Sequence, residues 1–68
     1  MTTNPIFMLA KLNGIVADCD KLQERINEAR NISPEDENYQ FQLDTAQVRL
    51  DIRRLQVEIL LNAIPDTN

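Results

Sequence analysis

The sequence has no histidine, one cysteine (Cys19) and one glycine among its 68 residues. A single cysteine excludes an intrachain disulfide, and one thiol without imidazole is too few ligands for a structural zinc site. A chain of this length buries only roughly 60% of the surface that its unfolded form exposes. Chains below about 70–80 residues usually need a disulfide, a metal or a partner subunit for stability. The composition therefore predicts one small domain that depends on a partner.

Residue patterns that support catalysis are also missing. There is no histidine to act as a general base, no Ser/His/Asp or Cys/His set, no glycine-rich phosphate loop and no metal-ligand spacing. The closely spaced carboxylates Asp18 and Asp20 are typical of a solvated helix face. We therefore predict that the protein is not an enzyme and that it uses no catalytic residue, metal, cofactor or small-molecule substrate.

The charge balance and the lengths of the apolar runs narrow the classes of partner. The formal net charge is −4, and acidic chains repel phosphate backbones, so we expect no nucleic-acid partner. No run of 18 apolar residues is present, so we expect no membrane span. The apolar stretch from Pro5 to Ala10 is too short for a signal peptide and follows no basic residue. These features predict a soluble cytoplasmic protein, in which a reduced cysteine is ordinary.

Two X-Pro steps predict the starts of two helices. Asn4-Pro5 has the order of an N-cap and a first helical residue, and Ser33-Pro34 repeats that order just before three acidic residues. The simplest interpretation is an all-α, antiparallel two-helix hairpin that resembles a coiled coil and is completed by packing against a partner or a second copy. The predicted single domain covers residues 1–68, with a helix at about 5–30, a turn at 31–33 and a helix at about 34–63.

Two local patterns leave alternatives to this interpretation. Asn13-Gly14 is a turn-type dipeptide, and glycine costs about 1 kcal/mol relative to alanine in a helix interior, so the first helix either continues or breaks there. Between Phe41 and Ile59, apolar and polar residues alternate as in a strand. No Gly, Pro or Asn interrupts residues 39–61, however, and the Gln, Leu, Arg, Glu and Ala there favour a helix. We therefore predict a helix.

The first predicted helix carries one apolar stripe and the second carries two. The first stripe has the alternating spacing of four and three that is typical of a coiled-coil seam: Met8, Leu12, Ile15, Cys19, Leu22, Ile26 and Ala29. On the second helix the two stripes centre about 170° apart. The Ile52 stripe consists of Phe41, Val48, Ile52, Leu55 and Ile59, with Thr45 the polar residue in its register. The Leu50 stripe consists of Tyr39, Leu43, Ala46, Leu50, Val57, Leu60 and Ile64, with Arg53 the polar residue in its register.

A two-helix hairpin covers only one face of its second helix, so the other stripe needs a third helix. Burying a large apolar side chain contributes about 1.5–3 kcal/mol, which makes a fully exposed stripe unfavourable. The spacing leaves open which stripe faces the first helix. Our assignment places these residues in the hairpin core: Leu12, Ile15, Cys19, Leu22, Ile26, Val48, Ile52, Leu55 and Ile59. It places these residues against a partner: Leu43, Leu50, Arg53, Val57, Leu60 and Ile64.

Two polar or reactive residues within the stripes have alternative interpretations. Arg53 lies in an apolar register, and its head group could reach the edge of an interface and pair with an acid of the partner. Cys19 is interpreted as a small core residue. The alternative is an interchain disulfide or redox switch, which would require Cys19 to face its mate at a homodimer contact.

One segment resembles a known family. Ser33-Pro34-Glu35 followed by Tyr39-Gln40-Phe41-Gln42 and an Ala/Leu-rich helix is similar to the YscE-like family, the small co-chaperones of type III secretion needle subunits. The resemblance covers about half of the chain. It implies a hairpin that joins a larger helical-repeat chaperone and keeps a needle subunit soluble and monomeric in the cytoplasm. Needle subunits are themselves short helical hairpins with a Pro/Asp-rich turn, so they offer a second resemblance within the same system.

These observations together predict a non-enzymatic chaperone or adaptor subunit that buries an apolar helix stripe against another helical protein. One alternative is a self-assembling structural protein, either a homodimeric four-helix bundle or a filament subunit. A third possibility is a small regulator that occupies a helix-binding groove on its target.

Overall fold

The computed structural model describes residues 4–64, which form two helices, α1 (Pro5–Arg30) and α2 (Glu37–Ala63). Near one end of the molecule Arg30 of α1 pairs with Asp44 of α2, and further along Asp20 pairs with Arg54. Residue numbers therefore rise along α1 as they fall along α2, so the two helices are antiparallel. The prediction of an all-α helical hairpin is confirmed. The segment around Phe41 to Ile59, with its strand-like alternation, is helical.

The start of α1 forms as the sequence predicts. The side-chain oxygen of Asn4 accepts a hydrogen bond of 3.0 Å from the backbone N–H of Ile6, and Pro5 occupies the first turn, where its missing N–H leaves no bond unmade. The helix then continues through Asn13-Gly14 to Arg30 without a break. Gly14 is exposed, and a Cβ atom added to it would meet no atom of residues 4–64 within 4 Å. Packing within this described range therefore gives no reason for glycine at this position.

The predicted turn at 31–33 is too short, because the connection spans residues 31–36. The carbonyl of Ser33 accepts a bond of 3.2 Å from the N–H of Asp36, which closes a turn with Pro34 at its second position. Proline suits that position as well as the first position of a helix, so the Ser33-Pro34 pattern could not distinguish the two. The N-cap of α2 is Asp36, whose carboxylate accepts from the N–H of Tyr39 at 3.1 Å.

Gln40 connects the first turn of α2 to the end of α1. Its side-chain N–H group donates to the backbone carbonyls of Arg30, at 3.1 Å, and Ser33, at 3.0 Å. Carbonyls at the C-terminus of a helix have no partner within the helix, so this amide supplies one that the sequence pattern did not reveal.

Replacing Gly14 with alanine should raise the free energy of unfolding by about 1 kcal/mol, because alanine restricts the unfolded chain and the exposed site has room for a methyl group. Urea unfolding followed by circular dichroism measures the change. The matched control is Ala17→Gly, at another exposed position of α1, which should lower stability by a similar amount. A loss of stability in Gly14→Ala would contradict the continuous helix.

The revised turn predicts that Asp36→Ala destabilises the hairpin by about 1 kcal/mol, because the N–H of Tyr39 loses its acceptor. Asp36→Asn keeps an oxygen acceptor and should be nearly neutral. Ser33→Ala should also be nearly neutral, since only the backbone carbonyl of Ser33 is used. Thermal unfolding of the three variants checks this order, and a larger loss for Ser33→Ala would restore Ser33 as the cap.

Candidate protein-interaction surface

The core between the helices is small and is built from the α1 seam and the Leu50 stripe. Three α1 residues are buried, namely Leu12, Cys19 and Ile26, together with Leu50 and Val57 of α2. Ile15 packs against this cluster, whereas Leu22, also predicted in the core, is exposed. The seam predicted on α1 therefore does face α2, and Cys19 is a buried free thiol at its centre.

On α2 the predicted hairpin core is wrong, because the two stripes are exchanged. Val48, Ile52, Leu55 and Ile59 are each more than half exposed and lie on the side of α2 away from α1. The residues assigned to a partner divide into three groups. Leu50 and Val57 are buried against α1, Leu43 and Ile64 are half-buried, and Arg53 and Leu60 are exposed.

Polar side chains next to the Leu50 stripe explain why this stripe faces α1. The amides of Gln23 in α1 and Gln47 in α2 exchange hydrogen bonds of 2.7 and 2.8 Å, and Gln23 also accepts from Arg54 at 3.0 Å. The ion pairs of Arg30 with Asp44 (2.9 Å) and of Arg54 with Asp20 (3.6 Å) lie along the same edge. If α2 were rotated about its axis so that Ile52 faced α1, these hydrogen bonds and ion pairs between the helices would be broken. The predicted assignment considered only the apolar periodicity and missed this signal.

The Ile52 stripe therefore forms an apolar row on the outside of α2. Its five large side chains are 51–67% exposed. When Thr45 is included, the spacing is four, three, four, three and four, which is a coiled-coil seam over more than two heptads. The hydroxyl of Thr45 donates to the carbonyl of Phe41 at 3.1 Å, so it is satisfied within its own helix. Singly exposed apolar residues are ordinary, but a continuous exposed row marks an interaction surface.

The outside of α1 has a different character. Its face away from α2 carries small and charged residues, all exposed: Ala10, Ala17, Lys21, Glu24 and Glu28. Three large apolar residues, Ile6, Phe7 and Leu9, are exposed near its N-terminus. Of the two outer faces described by the structure, only that of α2 presents an apolar seam, so the hairpin is one-sided.

An open groove of about 520 Å³ follows the edge of the hairpin opposite the ion pairs. Its walls include Leu22, Leu43 and Ala46, and its rim carries Arg25, Arg49 and Arg53 among other residues. None of these three arginines makes an ion pair with another residue between 4 and 64. Arg53, predicted at a partner interface, therefore belongs to this groove rather than to the Ile52 stripe.

Residues 4–64 were compared with the requirements of a metal site and of a membrane-spanning helix. Between residues 4 and 64, no three His, Cys, Asp or Glu side chains come together in a way that could hold a metal ion. Within the same range, neither helix has an apolar segment long enough to cross a bilayer.

Comparison of the chain with protein-family models, with curated proteins and with solved structures finds no match.

The exchange of the two stripes can be tested by truncating one residue from each. Leu50→Ala should lower the free energy of unfolding by about 2–5 kcal/mol, because it leaves a cavity between the helices. Ile52→Ala should change it by no more than about 0.5 kcal/mol, because the side chain is half exposed in the isolated hairpin. The measurement is urea unfolding at a dilution where the chain sediments as a monomer. A larger effect for Ile52→Ala would restore the sequence-based assignment.

Proposed function

We propose that this protein is a non-enzymatic interaction module, a small acidic adaptor or chaperone subunit that binds a helix of another polypeptide chain through the Ile52 stripe. The observation that carries the proposal is the heptad seam on the outside of α2, which no part of residues 4–64 covers. A helix laid along this seam would insert its own apolar side chains between those of α2, as in a coiled coil.

The apolar area involved is large relative to the hairpin itself. Burying a large apolar side chain fully contributes about 1.5–3 kcal/mol, and five such side chains are each about half exposed. Covering them would supply on the order of 5 kcal/mol before the entropic cost of association is subtracted. Since only five side chains are buried among residues 4–64, a bound helix would complete an otherwise thin core.

The positions of the two stripes favour a particular arrangement of helices. The Leu50 stripe and the Ile52 stripe lie on opposite sides of α2, so the bound helix would lie across α2 from α1. The three helices would form a flat row with α2 in the middle. In a square four-helix bundle each helix contacts two neighbours through two faces that lie about 90° apart around its own axis. The opposed stripes therefore support a row of helices over a square bundle.

The narrower hypothesis is a co-chaperone of type III secretion needle subunits in the cytoplasm, with a helical-repeat chaperone as partner. Its support is the resemblance of residues 33–42 to the YscE-like family and the hairpin architecture that this resemblance implies. The proposed module depends on the exposed seam and does not require that family assignment.

The proposal predicts that Ile52→Glu combined with Leu55→Glu abolishes association while the hairpin stays folded, since both side chains are outside the core. The matched control is Ala10→Glu with Ala17→Glu, which adds the same charge to the outer face of α1. Association with any chain is measured by sedimentation of the purified protein and by copurification from the source cells. Helical circular dichroism verifies the fold of both variants.

The expected result is at least a tenfold loss of association for the α2 variant alone, which is the effect of placing two charges in a desolvated seam. If the α2 variant associated as strongly as the α1 control variant, the proposal would be wrong. Unfolding of the α2 variant would instead show that the Ile52 stripe stabilises the isolated hairpin.

A further inference from the structure

We infer that the chain seated on the Ile52 stripe is a second copy of this protein, packed parallel to the first through α2. The inference rests on the proposed function, because it names the partner of the same surface. Its own support is the charge pattern on the two flanks of the stripe, together with the polar outer face of α1.

The seam residues are compatible with a two-stranded coiled coil. The spacing places Thr45, Ile52 and Ile59 at the a positions of a heptad, and it places Phe41, Val48 and Leu55 at the d positions. All three a residues are β-branched. In parallel coiled coils, β-branched residues at a with leucine at d favour two strands. Of the d residues only Leu55 is a leucine, so the apolar seam permits a parallel pair and its orientation depends on the flanking charges.

The flanks of the seam carry different charges. The g positions, which precede the a residues, are all exposed acids, namely Asp44, Asp51 and Glu58. The e positions, which follow the d residues, are exposed and carry no acid: Gln42, Arg49 and Gln56. One edge of the seam is therefore acidic, and the other is neutral to basic.

These flanks distinguish the two orientations of a symmetric pair. In a parallel pair, g residues of one helix face e residues of the other, so Asp44 lies opposite Arg49 of the second copy on both edges. In an antiparallel pair, g faces g, which places the acidic row of one copy against the acidic row of the other. Like charges at such positions are destabilising. The charge pattern is complementary to itself only in the parallel orientation.

The two residues of the predicted ion pair are available for it. Arg49 makes no ion pair within residues 4–64. Asp44 uses one carboxylate oxygen for Arg30, and no hydrogen bond to its second oxygen forms within the described part of the chain. Asp44 could therefore bind Arg30 of its own chain and Arg49 of the second copy at the same time.

The outer face of α1 limits the assembly to two copies. A parallel pair has the order α1, α2, α2 and α1, with an α1 helix at each edge of the row. Lys21, Glu24 and Glu28 on those outer faces offer no seam for a third copy. The contact is isologous and closed, so the geometry points to a dimer rather than a filament.

The experiment uses the full chain with Cys19→Ala and a single new cysteine at position 45 or 55. The Thr45→Cys and Leu55→Cys proteins are mixed in a glutathione redox buffer, and their disulfides are identified by mass spectrometry. A parallel dimer joins like positions only, as 45–45 and 55–55. An antiparallel pair centred on the stripe places position 45 near position 55 and gives the mixed product. Ala17→Cys, on the outer face of α1, is the control and should give little disulfide.

Sedimentation of the unmodified chain over a hundredfold concentration range provides the second measurement, with a mass of two chains expected. In the same concentration range, Arg49→Glu should raise the dissociation constant of the dimer about fivefold to tenfold. The substitution places a second acid opposite Asp44 of the other copy, and it does so on both edges of the seam. This arm retains Cys19 and so does not depend on folding of the Cys19→Ala background.

A monomer at every concentration, a predominantly mixed disulfide or an unchanged Arg49→Glu dimer would each overturn the inference. If the chain is monomeric but binds a different helical protein, and Ile52→Glu with Leu55→Glu removes that binding, the parallel dimer is wrong and the proposed function stands. If that double variant changes neither self-association nor binding to another protein, both are wrong.

Discussion

The structure depends on one constraint: α2 has two apolar faces, and the described chain has only one other helix to cover them. The Leu50 stripe packs on α1, which leaves the Ile52 stripe outside on the opposite side. The thin core, the one-sided surface and the flat arrangement proposed for a complex all follow from that choice. Had the two stripes lain at a right angle, the same residues would favour a compact bundle.

The choice between the stripes is made by interactions that are individually weak. Exposed ion pairs such as that between Arg30 and Asp44 contribute roughly 0–1 kcal/mol. The two stripes are similar in apolar content, however, so burying either one supplies a similar hydrophobic free energy. The polar network of Gln23, Gln47 and Arg54 forms with only one of them facing α1. A small difference can therefore decide the outcome where the large contributions nearly cancel.

The sequence patterns predicted the bounds of α1 and the face that it turns toward α2. Asn4-Pro5 marks the start of the helix, and an uninterrupted apolar seam continues to its last turn. Periodicity also identified both stripes of α2 and the angle between them. The patterns within one helix did not predict features that depend on how the two helices meet. Ser33 and Asp36 are both good caps, and only the path of the chain selects Asp36. Similarly, spacing within α2 cannot show which face meets α1, whereas matching Gln23 to Gln47 across the hairpin could have done so.

The Ile52 stripe links the stability of the hairpin to the binding of a partner. Because the hairpin core is small, any chain that covers the Ile52 stripe adds apolar burial to α2 and stabilises the folded state by mass action. The folded fraction and the bound fraction should therefore rise together with partner concentration. A second copy differs from any other partner in that its concentration is fixed by the expression of the protein itself. The acidic and basic flanks then act mainly on orientation, since the apolar seam alone would accept either direction.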